Sequence, residues 1–409
     1  MTTHSATTLS IHTLTHFQLA IVTIARLALN AAFRIIYPLQ PFLTDQFQAD
    51  PVTISTLVTV QLLASLVSPL GGTLADTRGE RAIMSVGLML FCVGTLACAF
   101  TTGFPCFLVG NVVIGLGYSL YQPSATAYLS ARTPYSRRGW ALGILETSWA
   151  GAALLGVAPL MQVVQTTHST MPIYLILFTA GIGSLMLIRY ALPKLAYRER
   201  TVEEHRIDWS AIRTTTVFAM IVVMALMMFA NDTYSVTQGQ WLREAFRATD
   251  GMLGQTFVAA GAAELCGSIA VIFLVDRIGK KRAAFGGFMC AALCLGALPL
   301  ATSWNMLLGL LFLFFLAEEF AIVAAIPLIS GLAPTARGTV VSLTMTISNI
   351  TRAVGSIASS AIFVTFGIAG NIWIAAGLML GGVLIGMVLV SETEAYTEQG
   401  RDHTTKREL

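Results

Sequence analysis

Eight charged side chains stand inside apolar runs that are long enough to cross a lipid bilayer, which takes about 20 residues. These residues are the most able to handle ions, protons or polar ligands, and they are Arg26, Arg34, Glu146, Asp232, Glu264, Glu318, Glu319 and Arg352. A charge at mid-bilayer costs about 3 kcal/mol, so eight facing lipid would cost on the order of 24 kcal/mol. A typical domain is stabilised by only about 5–15 kcal/mol. We therefore expect these side chains to face an internal cavity or one another.

The buried charges do not balance, because three are arginines and five are acids. If each arginine pairs with one acid, two acids remain, and a buried carboxylate without a cation tends to take up a proton. A proton carrier needs this property, so all five acids are candidates for proton coupling: Glu146, Asp232, Glu264, Glu318 and Glu319. The alternative is a set of structural ion pairs that join helices. Arg26 is the charge that we most expect to be only structural or snorkelling.

Polar and aromatic side chains share helical faces with these charges. Arg26, Asn30 and Arg34 recur at i, i+4 and i+8, which places them on one face of a helix. The candidate cavity residues are Asn30, Arg34, Tyr37, Tyr118, Gln122, Trp149, Asn231, Tyr234, Gln238, Asn349 and Arg352. Free carboxylates beside aromatic rings favour a lipophilic cation, whereas the arginines could hold an organic anion or a lipid headgroup. The sequence leaves both substrates open.

The elements that position these residues are predicted to be membrane-spanning helices. Of 409 residues, 55% are hydrophobic and 11% are charged, whereas soluble domains carry about 25% charged residues. The apolar runs form two sets of six, separated by a charged stretch. We expect an all-α membrane protein of twelve transmembrane helices in two pseudo-symmetric six-helix bundles, divided into an N-terminal bundle 1–192, a linker 193–213, a C-terminal bundle 214–391 and a tail 392–409.

The distribution of basic residues predicts the orientation in the membrane. On one side, the loops between spans are rich in Lys and Arg, whereas the opposite loops contain only Arg243 and Arg247. Because basic loops stay in the cytoplasm, we expect both termini, the linker and the tail to be cytoplasmic. The lipid bilayer is the partner that this pattern implies.

Other classes of function are disfavoured by what the sequence contains. The net charge is only +3 and the basic stretches are short, so we do not expect nucleic-acid binding. The six histidines lie at termini, loops or span edges, which argues against a metal site. We expect no cofactor, and a membrane-embedded enzyme would need a nucleophile and base that the spans do not offer. Two bundles of this kind enclose their own pathway, so we expect a monomer.

One loop motif occurs once in each half. The first contains Gly72, Asp76, Arg78, Gly79 and Arg81, and follows the second span. The second follows the eighth span, with the corresponding residues Asp276, Arg277, Gly279 and Lys280. An internal repeat of this kind is typical of transporters built from related halves.

These loops resemble the G-x-x-x-D-R-x-G-R-[KR] motif of the major facilitator superfamily, and the resemblance covers essentially the full chain. In the first copy, Thr77 and Glu80 replace two of the arginines. The ending of the first span, Tyr37-Pro-Leu-Gln-Pro41, is similar to that of twelve-span drug–proton antiporters. Asn111 stands where many of those antiporters have an arginine.

The resemblance implies a secondary active transporter of a bacterial inner (plasma) membrane that works by alternating access. It also implies that Asp76 and Asp276 form a conformational latch, with neighbouring basic residues pairing across the bundle interface. We expect proton-coupled efflux of small amphipathic molecules. The alternative is a transporter of an organic anion or lysolipid bound by Arg34 and Arg352.

Overall fold

The computed structural model describes residues 15–133, 135–193, 214–332 and 337–390. The predicted tail and all of the predicted linker except Pro193 lie outside these ranges. Twelve helices are long and apolar enough to span a membrane, which confirms the predicted all-α fold class for the described residues. The first six are α1 (His16–Phe47), α2 (Pro51–Gly72), α3 (Glu80–Ala99), α4 (Phe104–Arg132), α5 (Trp140–Thr167) and α6 (Met171–Ala191). The second six are α7 (Thr215–Phe246), α8 (Asp250–Val275), α9 (Lys280–Leu300), α10 (Trp304–Ile329), α11 (Leu343–Gly367) and α12 (Ala369–Leu389).

Side-chain caps fix where several spans begin. Thr15 and Gln18 form a capping box at the start of α1, which satisfies backbone N–H groups that the helix cannot pair. Asp50, Thr214 and Thr249 accept backbone N–H groups in the same way at the starts of α2, α7 and α8. Of these four helices, α1, α7 and α8 carry central charged residues.

Small residues let the spans approach closely. In α3 and α4, a Cβ atom added to Gly94 would lie 2.7 Å from the carbonyl oxygen of Gly110, and one added to Gly117 would lie 2.6 Å from that of Gly87. Such contacts are typical of helix association in membranes, where van der Waals packing replaces the hydrophobic effect. The α3–α4 pair is therefore a rigid part of the N-terminal half (α1–α6).

The contacts between the two halves include four helix pairs, α1 with α7, α1 with α8, α2 with α11, and α5 with α8. We call the ends of α6 and α7 that flank residues 194–213 the linker end, and the opposite end of the helices the far end. The hydrogen bonds that the structure describes between the halves lie at mid-depth or towards the far end. At the far end itself, Arg243 pairs with Asp45 at 2.6 Å, and Gln162 donates to the carbonyl oxygen of Gly251 at 3.2 Å. The halves are thus closed against each other at the far end.

Candidate functional site

One face of α1 carries the central polar residues, as the spacing in the sequence predicts. Arg26, Asn30, Arg34 and Tyr37 are all buried. Neighbouring helices come close because the residues between them are small, and a Cβ atom added to Gly156 of α5 would lie 2.5 Å from the Cβ atom of Ala31. Each polar side chain on this face is therefore held by a partner from another helix.

Arg34 forms an ion pair between the two halves. Its two terminal nitrogens donate to the two carboxylate oxygens of Glu264 on α8, both at 2.8 Å. Arg34 Nη1 also donates to the carbonyl oxygen of Trp149 at 3.1 Å, and the guanidinium lies 4.6 Å from the centre of the Trp149 ring. The Arg34 side chain is only 7% exposed and that of Glu264 only 8%. A buried, bidentate pair of this kind is strongly directional.

A second group joins α1 to α7 and α11. The Asp232 carboxylate accepts hydrogen bonds from the Tyr37 hydroxyl and from Arg352 Nε, both at 2.6 Å. Arg352 Nη2 also donates to the Tyr37 hydroxyl oxygen at 3.2 Å. Asp232 and Arg352 both belong to the C-terminal half (α7–α12), so their ion pair can persist when the halves move. Only the Tyr37 contacts cross between the halves.

A third ion pair lies within the N-terminal half. Arg26 donates to both carboxylate oxygens of Glu146 on α5, at 2.8 and 3.0 Å. The Arg26 side chain is 8% exposed, whereas that of Glu146 is 64% exposed. Because Arg26 lies two helical turns nearer the linker end of α1 than Arg34, this exposed carboxylate lies on the linker side of the Arg34–Glu264 pair. Of the two roles expected for Arg26, a structural ion pair and snorkelling, its contacts with Glu146 fit the ion pair.

The three arginines are thus paired with three of the five acids, and the remaining two acids are adjacent on α10. Asn231 of α7 donates a hydrogen bond to Glu318, and Ser268 of α8 donates one to Glu319 at 2.8 Å. Among the described residues, neither glutamate has a cationic partner within ion-pair distance. Two carboxylates at mid-depth are therefore held by neutral donors only.

Three aromatic residues pack together beside Glu146, one of them, Trp149, a helical turn away on α5. Phe33 stacks on Tyr118 with ring centres 4.9 Å apart, and the Trp149 ring lies 6.4 Å from that of Phe33. Gln122 donates to the Tyr118 hydroxyl at 2.6 Å. Tyr118, Gln122 and Trp149 are half-buried. This aromatic wall beside an acid is a surface suited to an apolar molecule with a positive charge.

Several predicted cavity residues are buried instead of lining an open space. Asn30 is fully buried and donates to Ser148 at 3.1 Å. Tyr234 is 1% exposed and packs edge-on against Phe314. Gln238 is also buried. The polar face of α1 was predicted correctly, but packing against neighbouring helices covers part of it, and part of the polar set on α7, in this conformation.

Two further members of the predicted cavity, Asn231 and Asn349, are half-buried. Asn231 holds Glu318, which places it among the residues that surround the unpaired acids. Of the described residues, no group of three or more His, Cys, Asp or Glu side chains could hold a metal ion.

The predicted latch is only partly described. The side chains of Asp76 and Asp276 lie outside the described residues. Gly79 and Gly279 have φ angles of 89° and 91°, in the region where glycine is favoured, so both are turn residues between spans. Gly72 is half-buried at the end of α2.

The basic residues of the predicted latch contact helix ends within their own halves. Arg81 donates to the carbonyl oxygen of Arg189 at the end of α6, and the equivalent Lys281 donates to that of Met387 at the end of α12, at 3.1 Å. Each contact stays within one half, where a cation meets the negative end of a helix. The predicted latch belongs to the outward-facing state, whereas this structure is closed at the far end, so pairing of these basic residues across the bundle interface stays a prediction. The other basic residues of the two loops are exposed to solvent, and they are Arg78, Arg277 and Lys280.

Sequence reasoning missed two buried polar clusters. Gln61 of α2 donates to the Asn111 side chain at 3.0 Å, and Asn111 in turn donates to the Phe107 carbonyl oxygen at 3.0 Å. Asn111 thus holds α2 and α4 together where related antiporters carry an arginine. The signal in the sequence was a lone glutamine inside an apolar run.

The second missed cluster is a hydroxyl seam between α2 and α11. Thr59 donates to Ser356 Oγ at 3.2 Å, Ser356 donates to the Ser55 carbonyl oxygen at 3.2 Å, and Ser360 donates to the Pro51 carbonyl oxygen at 3.3 Å. All three bonds link the two halves towards the far end. Serine and threonine are common within apolar helices, so their partners could not be read from spacing alone.

Comparisons with known proteins show which sequences and structures this chain is similar to. A family model, the Major Facilitator Superfamily, matches residues 22–238 and 220–408. The uncharacterized MFS-type transporter YwfA of Bacillus subtilis is 25% identical over 396 residues, which cover 94% of each chain. The multidrug resistance protein MdtG of Citrobacter koseri is 22% identical over 374 residues, or 86% of this chain and 89% of that protein.

A solved structure shares the fold. The D-xylose-proton symporter superposes with a TM-score of 0.76 over 93% of this chain and 98% of its own, at 16% sequence identity. The family match and the fold indicate a membrane transporter and not an enzyme. With the family model matching both of its halves, the chain belongs to the major facilitator superfamily.

Proposed function

We propose that this protein is a proton-coupled exporter of small amphipathic cations that works by alternating access. The two bundles, 1–192 and 214–391, move against each other around the central polar layer. From the bias of Lys and Arg between loops, we place the linker and both termini in the cytoplasm, so that the closed far end faces outward. The bias in loop charge fits a bacterial inner membrane.

The observation that carries this proposal is the excess of acids at mid-depth. Arg26, Arg34 and Arg352 are matched by three carboxylates, while Glu318 and Glu319 have only neutral donors. Burying an ionised carboxylate without a cation is expensive in a medium of low polarity. Proton uptake removes that cost, so these two acids suit a site that exchanges protons as its access changes.

The ion pair between Arg34 and Glu264 holds the far end closed. Opening the far end requires this pair to separate, because its members belong to different halves. Leaving a buried charge without its partner typically costs about 3–5 kcal/mol. The pair therefore sets much of the free energy that a movement of the two halves must supply.

The aromatic wall supports a cationic substrate. Tyr118 and Trp149, both half-buried and backed by the buried Phe33, form an apolar surface beside the exposed carboxylate of Glu146, on the linker side of the closed layer. A lipophilic cation entering from that side meets both features. In this conformation Arg34 and Arg352 are each bound to a carboxylate, so no contact favours the alternative of an organic anion. The similarity to a multidrug resistance protein agrees with the cationic substrate.

The test is transport by purified protein in liposomes with an imposed pH gradient. A fluorescent lipophilic cation such as ethidium is expected to accumulate against its gradient only while the pH gradient persists, and adding it is expected to release protons that a pH-sensitive dye records. The variant E318Q/E319Q is expected to lose proton release. Accumulation that is unchanged when the pH gradient is abolished would contradict the proposal.

A further inference from the structure

A second cavity lies at the linker end of the N-terminal half, away from the central ion pairs. It has a volume of about 500 Å³ and lies where the loop between α2 and α3 meets the end of α6. Its charged lining comprises Arg78, Glu80, Arg81 and Arg189, which leaves an excess of positive charge. One water molecule occupies roughly 30 Å³ in the liquid, so the cavity can hold a group much larger than a simple ion.

The position of this cavity is that of a membrane interface. Tyr190, at the end of α6, lines the cavity and is 85% exposed. Tyrosine is enriched at the boundary between lipid and water, and arginine side chains extend towards that boundary. The cavity therefore lies at the depth of lipid headgroups.

Apolar side chains continue from the cavity into the membrane. Ser85 lines the cavity, and one turn further along α3 Met89 is exposed. On α6, Met186 is exposed one turn from Tyr190. Because α3 packs against α6, these exposed residues form an apolar surface directly below the basic cavity. A phosphate above two acyl chains has the same arrangement of charge and apolar surface.

The equivalent place in the C-terminal half lacks this arrangement. Lys281 contacts the end of α12 as Arg81 contacts the end of α6. However, α12 has the exposed apolar residues Met387 and Val388 where α6 has Arg189 and Tyr190. A basic loop that served only to orient the protein would need no such difference between the halves.

We propose that this cavity binds the phosphate of an anionic phospholipid, with Arg78, Arg81 and Arg189 as its ligands and the acyl chains lying along α3 and α6. Guanidinium groups match phosphate oxygens in pairs. The excess of positive charge selects an anionic headgroup over a zwitterionic one, whose amine would be repelled. The site is independent of the central cavity and of the substrate proposed above.

Native mass spectrometry of the full-length protein in detergent tests this site. The protein is titrated with phosphatidylglycerol and, separately, with phosphatidylcholine carrying the same acyl chains. The variant R78Q/R189Q is expected to weaken the tightest phosphatidylglycerol binding about 25-fold, since one basic residue at a membrane surface contributes roughly fivefold. Binding of phosphatidylcholine is expected to be weak in both proteins.

The matched control is R277Q/K280Q, which removes two basic residues from the equivalent loop and is expected to change the tightest binding by less than about twofold. A charge-retaining variant, R78K/R189K, is expected to lose less binding than R78Q/R189Q, because lysine keeps the charge but not the paired contacts. Equal losses in R78Q/R189Q and R277Q/K280Q, or equal losses in R78K/R189K and R78Q/R189Q, would overturn the proposal. So would displacement of the lipid by millimolar inorganic phosphate, which would identify a site for the free anion.

Discussion

Two ion pairs start from the same face of α1, two helical turns apart, and they differ in what they join. Arg26 binds Glu146 within the N-terminal half, and that carboxylate is 64% exposed. Arg34 binds Glu264 across the two halves, and both side chains are at most 8% exposed. The first pair can stay intact when the halves separate, whereas the second must break. The comparison teaches that position relative to the moving interface, more than charge or distance, decides which pair controls the conformation.

The largest effect is expected from removing the charge of Arg34. R34Q leaves Glu264 without its cation, and removing one partner of a buried pair costs about 3–5 kcal/mol. The closed far end is therefore expected to open more often. In a variant with the six native cysteines replaced by serine, a cysteine at Ser55 reports opening of the buried seam. Its labelling by a thiol reagent is expected to accelerate at least about tenfold in R34Q.

The control for this experiment is R26Q, which removes the other arginine. Glu146 keeps its contact with water, and pairs with an exposed member are worth about 0–1 kcal/mol. Labelling at the same cysteine is expected to change by less than about threefold. Equal acceleration in R26Q and R34Q would remove the distinction between the two pairs.

The next largest effect is expected from replacing Glu318 and Glu319, the two acids that do not pair with an arginine. E318Q/E319Q is expected to abolish proton release during transport. The labelling rate of the cysteine at Ser55 is expected to stay unchanged, because neither glutamate bridges the two halves. The measurement combines dye-detected proton release in liposomes with labelling at the same cysteine. Proton release at the normal rate in this variant would assign coupling to another acid.

A smaller effect is expected at Tyr37, whose hydroxyl connects α1 to the Asp232–Arg352 pair. Y37F removes that link but leaves the pair within the C-terminal half. A hydrogen bond to a charged group contributes about 1.5–3 kcal/mol, so the closed state is expected to lose part of its advantage. Labelling is expected to accelerate less in Y37F than in R34Q, and a larger acceleration would make the Tyr37 link the main one.

The smallest effect is expected in the hydroxyl seam. S356A removes two neutral hydrogen bonds between α2 and α11, each worth about 0.5–1.5 kcal/mol. The melting temperature in detergent is expected to fall by a few degrees, with proton coupling retained. Loss of coupling in S356A would give this seam a role beyond closing the far end.

The sequence predicted the scaffold well because the membrane imposes a simple rule on it. Helices that span lipid must be long and apolar, so twelve runs and their break near residues 193–213 were visible in the composition. The face of α1 was visible for the same reason, since Arg26, Asn30 and Arg34 repeat with helical spacing. Length and periodicity are local properties, and local properties can be read from one sequence.

Partners could not be predicted in the same way. Arg34 and Glu264 are 230 residues apart along the chain. No sequence pattern near either residue indicates the other as its partner. Burial was equally hidden, because whether Tyr234 faces a cavity or Phe314 depends on how α7 rotates against α10. The contact of Arg81 with the end of α6 depends on a turn at Gly79 and on the packing of α3 against α6. All three depend on tertiary packing, which helical spacing does not encode.

The most direct test of the central claim is the distance across the far end, measured by pulsed electron paramagnetic resonance. Spin labels at Thr166 on α5 and Ala245 on α7, both exposed, report separation of the halves in lipid nanodiscs. In the otherwise unchanged protein, the distribution is expected to consist mainly of short distances. E264Q leaves Arg34 without its carboxylate partner and is expected to shift the distribution to longer distances. An E264Q protein that keeps the short distances would contradict the claim that the Arg34–Glu264 pair holds the far end closed.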